Sequence, residues 1–173
     1  MTHTALGKAL YDACYLRGEF KLRSGTISNE YFDKYRFESQ PELLQQVALQ
    51  LSKKLDLRRF DAFAGLEMGG IPVATALSLI TNKPVVFVRK EAKPYGTCRF
   101  AEGLEVKGKR LCIVEDVVTT GGQVIQSTSD LRSEGALIEQ VVCVLLRGED
   151  TTPFSKNSLE LTHLFKFSEI KPK

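Results

Sequence analysis

The chain has 173 residues with a net charge of +3, 43% hydrophobic and 26% charged residues, which suits one domain with an ordinary core. So small a positive charge argues against nucleic-acid binding, which usually requires a stronger basic excess or a basic stripe. No apolar run approaches the roughly 20 residues of a membrane-spanning helix. The N-terminus also lacks the basic residues and the following apolar region of a signal sequence. We therefore predict a cytoplasmic single domain, residues 1–173, without membrane or nucleic-acid partners.

Residues 1–55 predict two helices separated by a hairpin. Apolar residues between Ala5 and Leu16 recur with helical spacing, which indicates one buried helix face. The segment FKLRSGTISNEYFDKYRF then combines aromatic and β-branched residues with a Ser-Gly turn, a pattern typical of a hairpin or short strands. Pro41 opens the second helix, since proline is favoured in the first helical turn.

From residue 61 onwards, strands and helices alternate. Strands are predicted at 61–66, 84–90, 110–116 and 141–147, helices at 71–80 and 123–133, and LTHLFKF near the C-terminus is compatible with a last strand. Such alternation of helices with apolar strands predicts a parallel sheet covered on both faces. Ligands of these sheets bind outside the carboxyl ends of the strands. Three predicted strands end there in polar segments, GLEMGG, RKEAK and EDVVTTGG.

The four cysteines form no CxxC pair and only two histidines are present, so a zinc site has little support. Cys112 and Cys143 lie inside apolar runs and Cys14 in an amphipathic segment, so we predict that all three pack in the core. Cys98 lies in a polar segment and is predicted to be an exposed thiol. Free thiols fit a reducing cytosol.

The strongest chemical signal is the segment LCIVEDVVTTGGQ, residues 111–123. An apolar strand delivers Glu115 and Asp116, and a short Thr/Gly loop then leads directly into a helix. Such a loop brings backbone N–H groups, two hydroxyls and a positive helix end around one point, which suits a phosphate monoester. The carboxylates would repel phosphate, but they suit sugar hydroxyls or a hard cation. Together these features predict a binder of ribose 5-phosphate.

A cationic cluster follows another strand. Arg89 and Lys90 end the apolar run PVVFV, and Lys93 comes shortly after them. Alone, this pattern is typical of a solvated basic turn. Placed opposite the EDVVTTGG segment at the same sheet edge, it predicts stabilisation of the charge on a leaving pyrophosphate.

These residues resemble the phosphoribosyl diphosphate signature of the type I phosphoribosyltransferases. The resemblance is to the orotate phosphoribosyltransferases of that superfamily, and it covers about residues 18–148. The segments that carry it, besides the signature, are Phe20–Gly25, Glu30–Asp33, Gly65–Ala74, Phe87–Gly96 and Arg147. It implies a central, mostly parallel sheet flanked by helices, with an N-terminal helix and small hood at about residues 1–37 and an α/β core at about 38–173.

The resemblance also implies site residues. Glu115 and Asp116 would hold the ribose hydroxyls. Catalytic roles are implied for Lys93, Tyr95, Glu115 and Asp116. The residues that would cradle the 5-phosphate are Thr119, Thr120, Gly121, Gly122 and Gln123. Those that would contact the diphosphate are Glu67, Met68, Gly69, Gly70, Arg89, Lys90 and Lys93. Arg23 would lie near the substrate, and Arg147 would meet the orotate. Three positions depart from the family pattern: Tyr95 stands where many relatives have histidine, Gly69 where one branch has lysine, and Leu146 where aspartate is common.

The resemblance further implies phosphoribosyl diphosphate and orotate as substrates, with Mg²⁺ bound mainly through the substrate diphosphate and the ribose hydroxyls. It implies a homodimer whose loop 91–108 is shared across the interface. Two alternatives stay open. One is a phosphoribosyltransferase for another nucleobase, because the fold and the phosphate loop do not determine the base. The other is a non-catalytic regulator that senses phosphoribosyl diphosphate, although the roughly 18 residues before the first motif are too few for a helix-turn-helix domain.

Overall fold

The computed structural model describes residues 1–21, 25–91 and 100–172. Its helices are α1 (His3–Cys14), α2 (Tyr35–Glu38), α3 (Pro41–Ser52), α4 (Gly70–Thr81), α5 (Gly122–Ser133), α6 (Thr152–Lys156) and α7 (Phe167–Ile170). Its strands are β1 (Tyr15–Lys21), β2 (Ile27–Phe32), β3 (Ala62–Leu66), β4 (Val85–Val88), β5 (Ala101–Glu102), β6 (Arg110–Val118), β7 (Leu137–Leu146) and β8 (Glu160–Lys166).

The strands form two sheets. The larger has six strands in the order β5-β4-β3-β6-β7-β8, and its adjacent strands are parallel except for β4 and β5. The smaller is the antiparallel hairpin β1–β2, in which Tyr15 lies opposite Phe32. The predicted α/β class with a mostly parallel sheet is therefore confirmed, as is the predicted hairpin.

The two long helices before the sheet form for reasons visible in their sequences. Thr2 caps α1 by accepting the backbone N–H of Ala5 at 3.3 Å, and one face of the helix is buried. Pro41 opens α3, where its missing N–H costs nothing, and the buried residues of α3 recur with helical spacing up to Leu51. Both helices therefore begin close to the residues that the sequence predicted.

Apolar side chains pack on both faces of the larger sheet. Alternate residues of β6 supply both layers: Cys112 and Val114 contact the layer that includes α1, α3 and α4, and Leu111 and Ile113 contact the layer that includes α5. The first layer also contains Phe32 and Phe37 from the N-terminal segment. The hood, which we define as β1, β2 and α2, is thus anchored on the α1 side of the sheet.

Several local features differ from the sequence predictions. Strand β6 runs on to Val118, past the predicted end at residue 116, so both acids lie inside the strand. Residues 35–38 form α2 instead of continuing the hairpin, and the C-terminal region adds α6 and α7 to the predicted last strand. The polar segment 91–108, in which no strand was predicted, contains the short strand β5. Its two residues form a strand because they pair with the end of β4. Among the described residues, no helix is long and apolar enough to cross a membrane.

Three cysteines are buried free thiols, as predicted. Burial raises the pKa of Cys14 and of Cys112 to about 12, and it also raises the pKa of Cys143. These thiols therefore stay protonated and act as small apolar side chains. Cys98 lies outside the described residues.

Candidate active site

Glu115 and Asp116 lie near the C-terminal end of β6, the strand between β3 and β7. Because side chains alternate along a strand, the two side chains leave β6 on opposite faces, but their carboxyl groups are close enough to interact through a hydrogen bond. Asp116 continues the face of Cys112 and Val114, on which the hood packs, and its side chain is completely buried. Glu115 is half-buried, and its Oε1 accepts the backbone N–H of Asp116 at 3.1 Å.

The charge of this acid pair is unequally distributed. Burial raises the pKa of Glu115 well above its usual value, and the neighbouring Asp116 raises it further. Burial also opposes ionisation of Asp116, but hydrogen bonding with Glu115 and Glu38 and the positive charge of Lys34 hold the pKa of Asp116 below its usual value. The negative charge of the group therefore resides on Asp116.

Lys34, the residue that precedes α2, forms an ion pair with Asp116. Its Nζ lies 2.6 Å from Oδ2 and donates a hydrogen bond to Oδ1 at 2.9 Å. The backbone N–H of Val117 also donates to Oδ1, at 2.5 Å. Although burial opposes the charge of Lys34, the charge and hydrogen bond of Asp116 raise the pKa of this lysine. Both oxygens of the Asp116 carboxylate therefore lie within hydrogen-bonding distance of Lys34.

The predicted phosphate loop connects β6 to α5. Thr119 and Thr120 are exposed, and Gly121 precedes the first residue of α5. Gly121 has φ 78°, and a Cβ there would lie 2.4 Å from Cζ of Phe154, so only glycine fits. The first N–H groups of a helix have no intrahelical acceptor, and the helix dipole is positive at this end. Exposed Gly122 and Gln123 at the start of α5 therefore complete a loop that can bind an anion.

The predicted diphosphate loop, Glu67–Gly70, connects β3 to α4. Because β3 pairs with β6, this loop adjoins the acid pair. Met68 is exposed, and the peptide bond between Glu67 and Met68 is cis. A Cβ on Gly69 would lie only 1.6 Å from Oδ2 of Asp116. A side chain at position 69 is therefore incompatible with the present position of the Asp116 carboxylate.

The predicted cationic residues follow β4 on the other side of β3. The backbone N–H of Arg89 donates to the carbonyl of Phe100 at 3.0 Å, and the side-chain Nε of Arg89 lies 3.7 Å from Oε1 of Glu102. Arg89 and Glu67 line one cavity of about 350 Å³, and Lys90 is exposed beside them. The β4 end thus lies next to the diphosphate loop.

Arg147 follows β7, and its N–H donates to the carbonyl of Val118 at 2.8 Å. Its guanidinium carbon lies 4.7 Å from the ring centre of Phe167, a cation–π contact. Phe32 of the hood meets the same ring edge-on, with centroids 5.5 Å apart. A cavity of about 920 Å³ beside Arg147 is also lined by Lys166 and Lys171. This side of the site is exposed and positively charged.

The structure brings most of the predicted site residues to the C-terminal edge of the parallel strands. The residues placed there are Glu67, Met68, Gly69, Gly70, Arg89, Lys90, Glu115, Asp116, Thr119, Thr120, Gly121, Gly122, Gln123 and Arg147. Arg23, Lys93 and Tyr95 lie outside the residues that the structure describes, as does most of the first half of the loop 91–108. Their roles stay predictions.

The sequence analysis did not identify Lys34, Glu38 or Phe167. Lys34 and Glu38 stand one helical turn apart, a spacing that usually indicates a solvated helix face. Phe167 lies in a C-terminal segment whose pattern gave no function. Only the packing of the hood and of α7 against the sheet reveals what these side chains contact.

Comparison with known proteins gives consistent results. The family model of the phosphoribosyl transferase domain matches residues 36–168. An orotate phosphoribosyltransferase of a Nocardioides species is 49% identical over 148 residues, which cover 85% of this chain and 82% of that protein.

Solved structures give the same result. An orotate phosphoribosyltransferase of Mycobacterium tuberculosis has a TM-score of 0.83 at 25% identity and covers 97% of this chain and 98% of its own. That of Aeropyrum pernix has a TM-score of 0.78 at 34% identity and covers 95% of each chain. These matches confirm the predicted type I phosphoribosyltransferase-like fold, and the chain belongs to the orotate phosphoribosyltransferase family.

Proposed function

We propose that this protein transfers ribose 5-phosphate from phosphoribosyl diphosphate to orotate, which gives orotidine 5′-phosphate and pyrophosphate in the synthesis of UMP. The supporting observation is that one edge of the sheet collects an anion loop, an acid pair, a diphosphate loop, a cationic strand end and an arginine. Each part of the two substrates thereby has a chemically suitable partner at this edge. The relatives' shared name supports orotate as the base.

The ribose 5-phosphate half would bind between β6 and α5. In this proposal the phosphate accepts hydrogen bonds from the hydroxyls of Thr119 and Thr120 and from N–H groups at the start of α5. Glu115, which is half-buried, would accept hydrogen bonds from the ribose hydroxyls. Asp116 would contact the same hydroxyls while it remains paired with Lys34.

The diphosphate would lie over the backbone of Glu67–Gly70, with Arg89, Lys90 and Lys93 compensating its charge. Within the described ranges, no group of three or more His, Cys, Asp or Glu side chains could hold a metal ion. Mg²⁺ prefers oxygen ligands and retains several waters. We propose that a magnesium ion is carried mainly by the diphosphate and the ribose hydroxyls, where it would neutralise charge on the leaving pyrophosphate.

The reaction would be a displacement at the anomeric carbon with inversion. The bond from ring N1 of orotate forms while the bond to the diphosphate oxygen breaks, through an oxocarbenium-like state. The electron pair leaves with pyrophosphate, which takes up the proton that N1 loses. Arg147 would hold the carboxylate of orotate beside the positively charged cavity. The chain's contribution is positioning, charge compensation and exclusion of water.

The decisive test measures initial rates with orotate, uracil, hypoxanthine, adenine and guanine in parallel, with phosphoribosyl diphosphate and Mg²⁺. We expect efficient turnover with orotate alone, because only orotate offers a carboxylate to Arg147. Comparable rates with uracil or a purine would contradict the assignment in favour of another nucleobase. Tight binding of phosphoribosyl diphosphate without turnover of any base would support the regulator instead.

We also propose a homodimer in which the loop 91–108 completes the partner's site. Helix α4, GIPVATALSLIT, is apolar on nearly all sides, and Leu79 on it is 82% exposed, which suits a surface covered by a second copy. Lys93→Ala and Asp116→Asn should each be nearly inactive alone. In a mixture of the two, about half of the dimers are mixed, and roughly a quarter of wild-type activity should return. No recovery despite proven subunit exchange would place Lys93 in its own subunit's site or outside any site.

Finally, we propose that residues 1–173 act as one domain in the cytoplasm. The single-domain assignment is supported by the apolar layer that joins Leu6, Phe32 and Phe37 of the N-terminal region to Phe63 and Val142 of the larger sheet. The three free thiols of the core are compatible with a reducing compartment. Limited proteolysis should yield no stable fragment that retains binding of phosphoribosyl diphosphate.

A further inference from the structure

Three ionisable side chains connect the hood to the substrate edge of the sheet: Lys34, Glu38 and Asp116. Lys34 precedes α2 and Glu38 is its last residue, so the two are one helical turn apart and project to one side. Asp116 comes from β6, 82 residues after Lys34.

The Asp116 carboxylate touches three structural elements at once. Oδ1 accepts hydrogen bonds from Lys34 of the hood at 2.9 Å and from the N–H of Val117 in its own strand at 2.5 Å. Oδ2 lies 2.6 Å from Nζ of Lys34 and only 1.6 Å from the point where a Cβ of Gly69 would stand. The carboxylate thus fills the space beside the diphosphate loop that a side chain at position 69 would take.

Glu38 approaches the same place from the hood. Its Oε1 lies 3.0 Å from that same point above Gly69, so its carboxyl group is next to that of Asp116. Oε1 of Glu38 and Oδ2 of Asp116 are both buried, and no described residue donates a well-aligned hydrogen bond to either.

Two ionised carboxylates at this separation would repel each other strongly. One proton between them removes the repulsion and satisfies both oxygens. Burial and the neighbouring Asp116 raise the pKa of Glu38 to about 9, which agrees with Glu38 as the carrier of that proton.

We propose that Lys34 and Glu38 are positioning residues for phosphoribosyl diphosphate: Lys34 by its charge and Glu38 by its O–H hold the Asp116 carboxylate against Gly69. This inference rests on the proposed function, because it deepens the account of the diphosphate site. Neither residue touches the reacting atoms. A buried carboxylate held by one cation, one backbone N–H and one O–H has a single orientation, and the backbone of the diphosphate loop packs directly against it.

The experiment compares variants that keep or remove each interaction. Lys34→Met and Glu38→Met remove the charge and the donor at similar size, whereas Lys34→Arg keeps a cation and Glu38→Gln keeps an N–H donor toward Asp116. Exposed Lys53→Met and Glu42→Met are the matched controls. Three quantities are measured: the Kd of phosphoribosyl diphosphate by calorimetry without base, the KM of orotate at saturating phosphoribosyl diphosphate, and thermal unfolding.

We expect each methionine variant to raise the Kd of phosphoribosyl diphosphate by about tenfold, the scale of one lost hydrogen bond to a charged group. The KM of orotate should stay within about twofold, because Arg147 meets the base. Lys34→Arg and Glu38→Gln should remain close to wild type. The inference is overturned if Glu38→Met and Glu38→Gln bind equally well, or if the methionine variants shift Kd and KM together.

A second measurement covers the case in which the methionine variants do not fold. The infrared spectrum of the wild type at neutral pH should contain the C=O stretch of protonated carboxyl groups, and Glu38→Gln should lose the part of this band that belongs to Glu38, while any band of Glu115 remains. An unchanged band in Glu38→Gln would overturn the shared proton. If the wild type binds phosphoribosyl diphosphate but does not convert orotate, the proposed function fails, and the binding pattern of the variants still decides the inference.

Discussion

The phosphate end of the proposed site, at β6 and α5, can be compared with its base end around Arg147. At the phosphate end, one uninterrupted segment, residues 111–123, supplies the strand, the acids, the loop and the helix start. At the base end, Arg147 is exposed and rests on Phe167, which in turn contacts Phe32. These three side chains come from the end of β7, from α7 and from β2.

The difference in burial indicates that charged groups interact more strongly at the phosphate end than at the base end. Asp116 is completely buried, so its charge interacts in a medium of low polarity, and removing its charge leaves Lys34 without its partner. Arg147 faces water, which screens its interactions. We therefore expect substitutions at the phosphate end to lower activity more than those at the base end. Substitutions at the base end should change the KM of orotate only.

The largest effect is expected from Asp116→Asn. The substitution removes the buried negative charge that pairs with Lys34. The loss of transition-state stabilisation should be about 2 kcal/mol or more, which lowers kcat/KM for phosphoribosyl diphosphate by about 30-fold. Steady-state kinetics with each substrate varied in turn measure it. The control is Asp12→Asn, which breaks the exposed pair of Asp12 with Lys8 and should leave the kinetics unchanged. Wild-type kinetics in Asp116→Asn would remove the active site from this end of β6.

A smaller and more selective effect is expected from Arg147→Met. Loss of an exposed cation that binds a carboxylate should raise the KM of orotate by about tenfold. The KM of phosphoribosyl diphosphate should stay unchanged. Arg58→Met is a suitable control, because Arg58 is also exposed and paired with a carboxylate, that of Asp56. An equal rise of both KM values would contradict the assignment of Arg147 to orotate binding alone.

A weaker effect on the same side is expected from Phe167→Leu, which removes the ring beneath Arg147. Exposed cation–π contacts contribute about 0.5–1 kcal/mol, so the KM of orotate should rise about two- to fivefold. Phe167→Tyr keeps an aromatic ring and should resemble the wild type. In the Arg147→Met background, Phe167→Leu should have no further effect. An additive loss in the double variant would show that Phe167 acts independently of Arg147.

The smallest effect on activity is expected from Glu38→Gln, whose consequence is a change in how stability depends on pH. The folded protein raises the pKa of Glu38 from 4.5 to about 9, chiefly by burial and then through Asp116. The folded state therefore keeps a proton that the unfolded chain releases, and this stabilisation is present below pH 4.5 and is lost as pH rises toward 9. Glutamine does not titrate, so Glu38→Gln should gain stability relative to the wild type between pH 5 and 9.

Urea unfolding of both proteins across this pH range measures the difference. The control is Glu42→Gln, because Glu42 is exposed. The unfolding free energy of this variant should depend on pH in the same way as that of the wild type. Parallel curves for Glu38→Gln and the wild type would show that Glu38 is ionised in the folded protein.

The sequence by itself was enough to predict the segment that forms the phosphate end of the proposed site. The segment 111–123 contains its own strand, loop and helix start, and the chemistry of each follows from residue type and short spacing. It also determined the order of the main strands and helices, because an apolar run or a helical period is a local property. Within 61–147, the predicted strands and helices lie where the structure has them, with shifts at their ends.

Only the tertiary structure decided what the acids contact. Nothing near residue 116 indicates that Lys34 pairs with Asp116, since the two are 82 residues apart and meet only when the hood packs on the α1 side of the sheet. The same holds for Arg147 and Phe167, which α7 brings together. Contacts between distant segments depend on how whole apolar faces pack, and neither residue type nor local spacing carries that information.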